Sequence, residues 1–169
     1  MISYEQSKKI LKKAKIKIKD EIISSVNSLN RIISSNVYSS INYPTSDNAA
    51  FDGYAINSKD TNLIKKNSQK KFKIIGLIAA GSKPLKKKIK KFDAIEIMTG
   101  GIIPKGFDTI IPIEQINFYP NKSNKKFILI DKKIKKNNHV RFAGSDFKKG
   151  EVILKKNTII QPNHILAFK

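Results

Sequence analysis

Apolar residues recur at two different spacings along this chain, and the change between them organises it. Near the start, Ile10, Leu11, Ala14 and Ile18 fall at roughly helical intervals behind Ser3-Tyr4-Glu5-Gln6. That tetrapeptide fits a capping box, with Ser3 as N-cap and Gln6 reaching back. Ile22-Ile23 is too short to be more than a strand. From Ser25, the positions of Val26, Leu29, Ile32 and Ile33 predict a second helix with one apolar face. Val37-Tyr38 and Ile41 read as extended. Tyr43-Pro44 closes that stretch, because the residue before a proline disfavours helix.

After Ala55 the apolar residues come in short runs between polar turns. Lys73 to Ala79, Ala94 to Met98, Thr109 to Ile113 and Phe127 to Ile130 all read as strands. Gly, Pro, Asn and Lys punctuate them, as in a small barrel or sandwich. The lysine runs Lys86 to Lys91 and Lys132 to Lys136, each broken by one isoleucine, read as solvated loops or protected edges. Further on, Val152-Ile153-Leu154 and Ile159-Ile160 read as strands. Pro162 suits the first turn of a helix carrying His164 to Phe168. So short an amphipathic segment is not expected to stand alone, which suggests a protein that once continued beyond Lys169.

Composition narrows the function classes. The 169 residues can hold one ordinary domain or two small ones, and 40% hydrophobic with 28% charged residues fits a globular protein. Without cysteine, disulfides, thiolate metal sites and cysteine nucleophiles are excluded. His139 and His164 are the only histidines and stand apart in sequence, so a histidine metal site is not expected. No apolar run approaches the ~20 residues that span a bilayer. The first residues read as polar helix with no signal peptide, so no membrane association and a cytoplasmic location are expected.

A net charge of +21 raises the question of nucleic acid. Arg31 and Arg141 are the only arginines among 34 Lys and Arg residues, however, and the guanidinium fork is the usual reader of bases and phosphates. The lysines run through every segment together with Ile and Asn, residue types that share A/T-rich codons. A solvated lysine surface accounts for the charge, and no specific nucleic-acid partner is expected.

Three segments concentrate special residues. Asp47-Asn48-Ala49-Ala50-Phe51-Asp52-Gly53-Tyr54-Ala55 holds two carboxylates in a chain with 13 acidic residues. Asp47-Asn48 can close an Asx turn, and Asp52-Gly53 a second turn into a strand. Such a loop either carries solvated aspartates or offers an oxygen ligand to a hard cation. In Met98-Thr99-Gly100-Gly101-Ile102-Ile103-Pro104-Lys105-Gly106-Phe107-Asp108, turn-formers follow a strand end. That segment is either a glycine connection between strands or a place where free N–H groups face an anion. Arg141-Phe142-Ala143-Gly144-Ser145-Asp146 fits either a phosphate or carboxylate fork or a local Arg–Asp pair in a surface turn.

In this order the three segments resemble the N-terminal half of the molybdopterin molybdenumtransferase family, to which bacterial MoeA and the gephyrin E domain belong. The family's D-N-S-A-M-D-G-Y-A is matched by Asp47 to Ala55, with Ala49 for serine and Phe51 for methionine. Its M-T-G-A-x-x-P-x-G-x-D is matched by Met98 to Asp108, with Gly101 for alanine. Its R-x-x-G-E-D is matched by Arg141 to Asp146, with Ser145 in place of glutamate. Ala80-Gly81 and Glu114 also fit.

The resemblance implies an α+β fold: an elongated mixed α/β domain, residues 1–50 and 139–169, interrupted by an inserted β-barrel-like domain, residues 51–138. It implies a magnesium-dependent transferase function in molybdenum cofactor biosynthesis, inserting molybdate into adenylated molybdopterin with release of AMP. The family's functional aspartate and threonine fall on Asp52 and Thr99, with Asp52 as the acidic group that organises magnesium. Asn48, Gly53, Gly100, Arg141 and Asp146 are the remaining candidate residues toward the substrate, and Ser145 leaves one family carboxylate unmatched. The molybdopterin-binding and C-terminal β domains of the family are not in this sequence. A homodimer, and a companion chain carrying those domains, are the partners it implies. The alternative is an interaction module that keeps the dimerising surface and is catalytically incomplete.

Overall fold

A computed structural model describes residues 2–14, 18–83 and 87–168. The chain separates into two compact units, residues 1–37 with 152–169, and residues 38–151. The helices, few and short beside a mixed sheet, make the class α+β. Among the described residues no helix is long and apolar enough to cross a membrane.

In the first unit, helix α1 (Tyr4–Lys13) begins at the capping box read from sequence. The Gln6 N–H donates to Ser3 Oγ at 3.2 Å, and the Ser3 N–H donates to Gln6 Oε1 at 2.9 Å. Ala14 is its C-cap, so Ile18 is not part of this helix, and α1 buries none of its residues.

The helix expected from Ser25 does not form. Only a 3-10 turn, Ser25–Asn27, is present, and Asn30 takes a left-handed φ of 62°. Extended pairing displaces the helix: the Ile33 N–H donates to the Thr158 carbonyl at 3.0 Å and the Ile160 N–H to the Arg31 carbonyl at 2.8 Å. Ile32 bridges Ile159 in antiparallel sense. β-branched isoleucines gain from such pairing, whereas a lone amphipathic helix has no apolar partner to bury its face. Ile159-Ile160 is extended as expected, and α2 (Pro162–Ala167) starts with Pro162 in its first turn.

The second unit is built on a six-stranded sheet. Its strands are β3 (Gly53–Ile56), β4 (Lys70–Ile78), β5 (Asp93–Ile97), β6 (Thr109–Pro112), β7 (Asn117–Pro120) and β8 (Lys125–Ile130). They lie in the order β6-β3-β5-β4-β8-β7, antiparallel except for the parallel pair β4–β5. Every residue of β3 and β6 is buried, and alternate residues feed two cores. Ala55, Ile95, Ile97 and Ile110 join Ile78 and Phe107 on one side, while Tyr54, Ile56, Ala94 and Ile111 join Phe72 and Ile128 on the other.

Four strands lie outside the large sheet: β1 (Val37–Tyr38), β2 (Asn48–Ala49), β9 (Val140–Arg141) and β10 (Val152–Leu154). β2 pairs antiparallel with β9, setting Asn48 opposite Arg141 and Ala49 opposite Val140. The change of patterning near residue 51 therefore falls within this unit, between β2 and β3.

The described lysines of both charged runs are exposed, while their isoleucines, Ile89 and Ile134, pack against the two cores. Lys86 lies outside the described residues, as does Lys169. Ile113 belongs to a 3-10 turn and not to β6, and β7 has no counterpart among the strands expected from the sequence.

Candidate functional site

The fold gathers the three special segments. β2 carries the start of the first segment and β9 the start of the third, so their pairing joins the two. A further tie runs from Asp47, whose Oδ1 accepts a hydrogen bond from the Ala143 N–H at 2.8 Å. The bond that the sequence assigned to a local Asx turn is thus made across the fold. The second segment lies along the other side of β2. The Gly100 N–H donates to the Ala49 carbonyl (2.9 Å), the Ala49 N–H to the Gly101 carbonyl (3.0 Å), and the Ile103 N–H to the Asp47 carbonyl (3.0 Å).

These bonds decide between the two readings of the second segment in favour of the glycine connection. The N–H groups following the strand end are not free for an anion, because Thr99, Gly100, Gly101 and Ile103 all donate within the protein. The glycines serve the close approach. Gly100 sits at φ 80°, where a side chain is strained. At Gly53 an added Cβ would lie 2.0 Å from the Ile111 carbonyl oxygen, so nothing larger fits between β3 and β6.

Asp52 and Thr99, 47 residues apart in sequence, meet directly. Asp52 Oδ1 accepts from the Thr99 N–H at 2.6 Å and from the Thr99 hydroxyl at 2.8 Å. The main chain of Asp52 is fixed as well, since its carbonyl accepts from the Ile113 N–H at 3.0 Å. The Thr99 N–H, and after it the hydroxyl, hold the Asp52 carboxyl below the usual carboxylate range. Both donors converge on Oδ1, which leaves Oδ2 without a hydrogen-bond partner among the described residues.

The remaining candidates are placed differently. Arg141 pairs with Asp146 through Nη2 and Oδ2, the local arrangement that was one of two readings of that segment. Ser145 Oγ donates to Asp146 Oδ1 at 3.3 Å. Asn48 faces Arg141 in the ribbon, and its buried side-chain oxygen has no hydrogen-bond partner among the described residues. No hydrogen bond among the described residues links the Asp52–Thr99 pair to the Arg141–Asp146 pair. Asp108, which closes the second segment, is structural: its two oxygens accept from the Ser58 N–H (2.7 Å) and hydroxyl (2.9 Å).

Comparison with known proteins decides what this arrangement belongs to. The family model described as MoeA N-terminal region (domain I and II) matches residues 2–168.

The chain belongs to this family.

Among relatives, this MoeA N-terminal region is 33% identical over 141 residues to the molybdopterin molybdenumtransferase of Staphylococcus aureus strain Mu50, covering 83% of the chain and 32% of that protein. It is 29% identical over 163 residues to that of Haemophilus influenzae, covering 96% of the chain and 38% of the relative. A crystal structure of the molybdopterin biosynthesis MoeA protein from Pyrococcus horikoshii superposes with a TM-score of 0.80 at 29% identity, over 99% of this chain and 41% of that one. The chain thus spans about a third of the length of the first of these relatives.

Two features of the site escaped the sequence reading. One is the role of His139, set aside there as a metal ligand; its carbonyl accepts from the Ala50 N–H at 3.0 Å and its ring meets Phe51 edge-on. The other is the Ala143 N–H that holds Asp47. A backbone donor has no signature in sequence, and only the β2–β9 register exposes it.

The donor set bears on a metal. Among the described residues no three His, Cys, Asp or Glu side chains cluster as a metal cage would require. Magnesium, however, commonly takes one or two carboxylates and completes its shell with water and substrate phosphates. Asp52, ionised, exposed and with one oxygen uncommitted, fits that single-carboxylate mode.

Proposed function

We propose that this MoeA N-terminal region supplies Asp52 and Thr99 to a composite site that inserts molybdate into adenylated molybdopterin with release of AMP. The observation that carries the reading is the contact between these two side chains, at the positions where the resemblance placed the functional pair. The chain's own contribution is an oriented anion. Thr99 grips Oδ1 with two donors and so fixes the rotation of the carboxylate. Oδ2, which takes part in neither bond, would be the oxygen available to hold the ion. Magnesium, when bound, neutralises phosphate charge and makes a coordinated water more acidic. Asp52 is ionised across the physiological range, as a magnesium ligand must be, and the Thr99 donors lower its pKa further below 3.8.

Asn48, Gly53 and Gly100 shape the ribbon and turn that carry the pair, and Arg141 and Asp146 are assigned to the substrate. In this reading β3 to β8 are the inserted barrel-like domain of residues 51–138, within an elongated domain of residues 1–50 and 139–169. The assembled protein is a cytoplasmic homodimer whose remaining domains, on a longer or a companion chain, hold molybdopterin and molybdate.

The test is AMP release from adenylated molybdopterin, with molybdate and magnesium, by the chain combined with the remaining domains of a full-length relative. Release that needs both parts, and fails when magnesium is chelated, is the expected result. Self-association of the chain with no AMP release in any combination would favour the interaction module instead.

A further inference from the structure

Phe51 precedes Asp52 directly, and 47% of its surface is exposed. It belongs to neither of the two cores. Its ring meets that of His139 edge-on, with centroids 4.8 Å apart and an interplanar angle of 75°. His139 holds a left-handed φ of 53° and accepts the Ala50 N–H through its carbonyl, at the end of the β2–β9 ribbon. The exposed ring therefore stands on hydrogen-bonded backbone, braced from one side. A braced ring loses little entropy when a second ring contacts it.

We infer that Phe51, backed by His139, is a contact for the planar heteroaromatic ring of a phosphate ester whose phosphate is held at Asp52. The inference rests on the proposed role of Asp52 as the magnesium and phosphate residue. Consecutive Cα atoms are about 3.8 Å apart and both side chains are exposed, so a ligand of nucleotide size has the length to reach from the Phe51 ring to Asp52. The methionine of the family pattern at this position suits the same role, because a thioether also contacts aromatic rings favourably. Adenine and pterin share the required chemistry, and the experiment separates them.

The presence of only two histidines makes the test direct, since His139 reports on the site and His164 serves as control. Proton NMR of the full chain with magnesium follows both imidazoles during titration with AMP, with a phosphorylated pterin, and with ribose 5-phosphate as the ringless ligand. The His139 signals are expected to move with AMP or with the pterin, whichever ring the site takes, while those of His164 stay fixed. Stacking on an aromatic side chain is worth about 1–3 kcal/mol, so Phe51→Ala should weaken the ring-bearing ligand about fivefold or more. The same variant should leave ribose 5-phosphate unaffected, and Phe51→Met should restore most of the binding.

Equal affinity of Phe51→Ala and the parent chain for every ligand would overturn the inference, as would His139 signals that no ligand moves. Loss of all three ligands in Asp52→Asn would support the phosphate role even then. Conversely, a ring effect of Phe51→Ala with no effect of Asp52→Asn would leave the aromatic contact standing and refute the role of Asp52.

Discussion

Asp47 Oδ1 accepts the backbone N–H of Ala143 at 2.8 Å, tying together two segments 96 residues apart. This aspartate holds the first and third segments of the site together. Replacing it with alanine should lower stability by about 1 kcal/mol, the usual net value of one hydrogen bond. Asp47→Asn, which keeps an acceptor oxygen, should retain most of it. Urea denaturation of the two variants checks the difference.

Asp52 gives a pH dependence with a defined sign. Its folded-state pKa is lowered from 3.8, first by the Thr99 N–H and then by the Thr99 hydroxyl. A depressed carboxyl contributes stability that is present above its unfolded value and is lost as pH falls through the folded value. The loss therefore belongs below about pH 4. Thr99→Val removes the smaller cause and leaves the backbone donor. The carboxyl pKa, followed by carbon NMR, should rise only part of the way to 3.8.

Gly53 is the tightest point of the sheet. An alanine Cβ there would sit 2.0 Å from the Ile111 carbonyl oxygen and 2.9 Å from its carbon, both main-chain atoms of a paired strand. Overpacking relieved by side-chain motion costs about 1–3 kcal/mol, and here the backbone itself must move. Gly53→Ala should fall at or beyond the upper end of that range, read as a drop in thermal midpoint by circular dichroism.

Asp108, unlike Asp52, has both carboxylate oxygens engaged within the fold. Its carboxylate caps Ser58 through both oxygens, at 2.7 and 2.9 Å. Asp108→Ala should cost about 1.5–3 kcal/mol, as for hydrogen bonds to a charged group. At temperatures where the variant remains folded, AMP release by the reconstituted protein should be near that of the parent.

What the sequence made legible depended on how local the cause was. The capping box at Ser3 and Gln6, Pro162 at the start of α2 and the apolar runs of β4, β5, β6 and β8 were all readable, because each is set by neighbours within a few residues. The Ser25 helix misled because its apolar spacing is compatible with helix, while the pairing of Ile32 with Ile159 lies 127 residues away. β7 was hidden by Pro120 and by having too few apolar residues to alternate. For the site, spacing alone left Asp47 and Asp52 equivalent. The resemblance to a known family singled out Asp52, and the structure then distinguished them by partner: a distant backbone donor for Asp47, the Thr99 side chain and main chain for Asp52.

If Asp52, oriented by Thr99, is the carboxylate that works in molybdenumtransfer, replacing it must suppress AMP release. AMP release by the reconstituted protein, compared between the parent chain and Asp52→Asn at saturating magnesium, tests it most directly. The expected result is a loss of about a hundredfold or more, as for removal of one preorganised electrostatic group, and a loss of about tenfold or more for Thr99→Val, which acts by orienting the carboxylate. Full activity of a folded Asp52→Asn protein would contradict it.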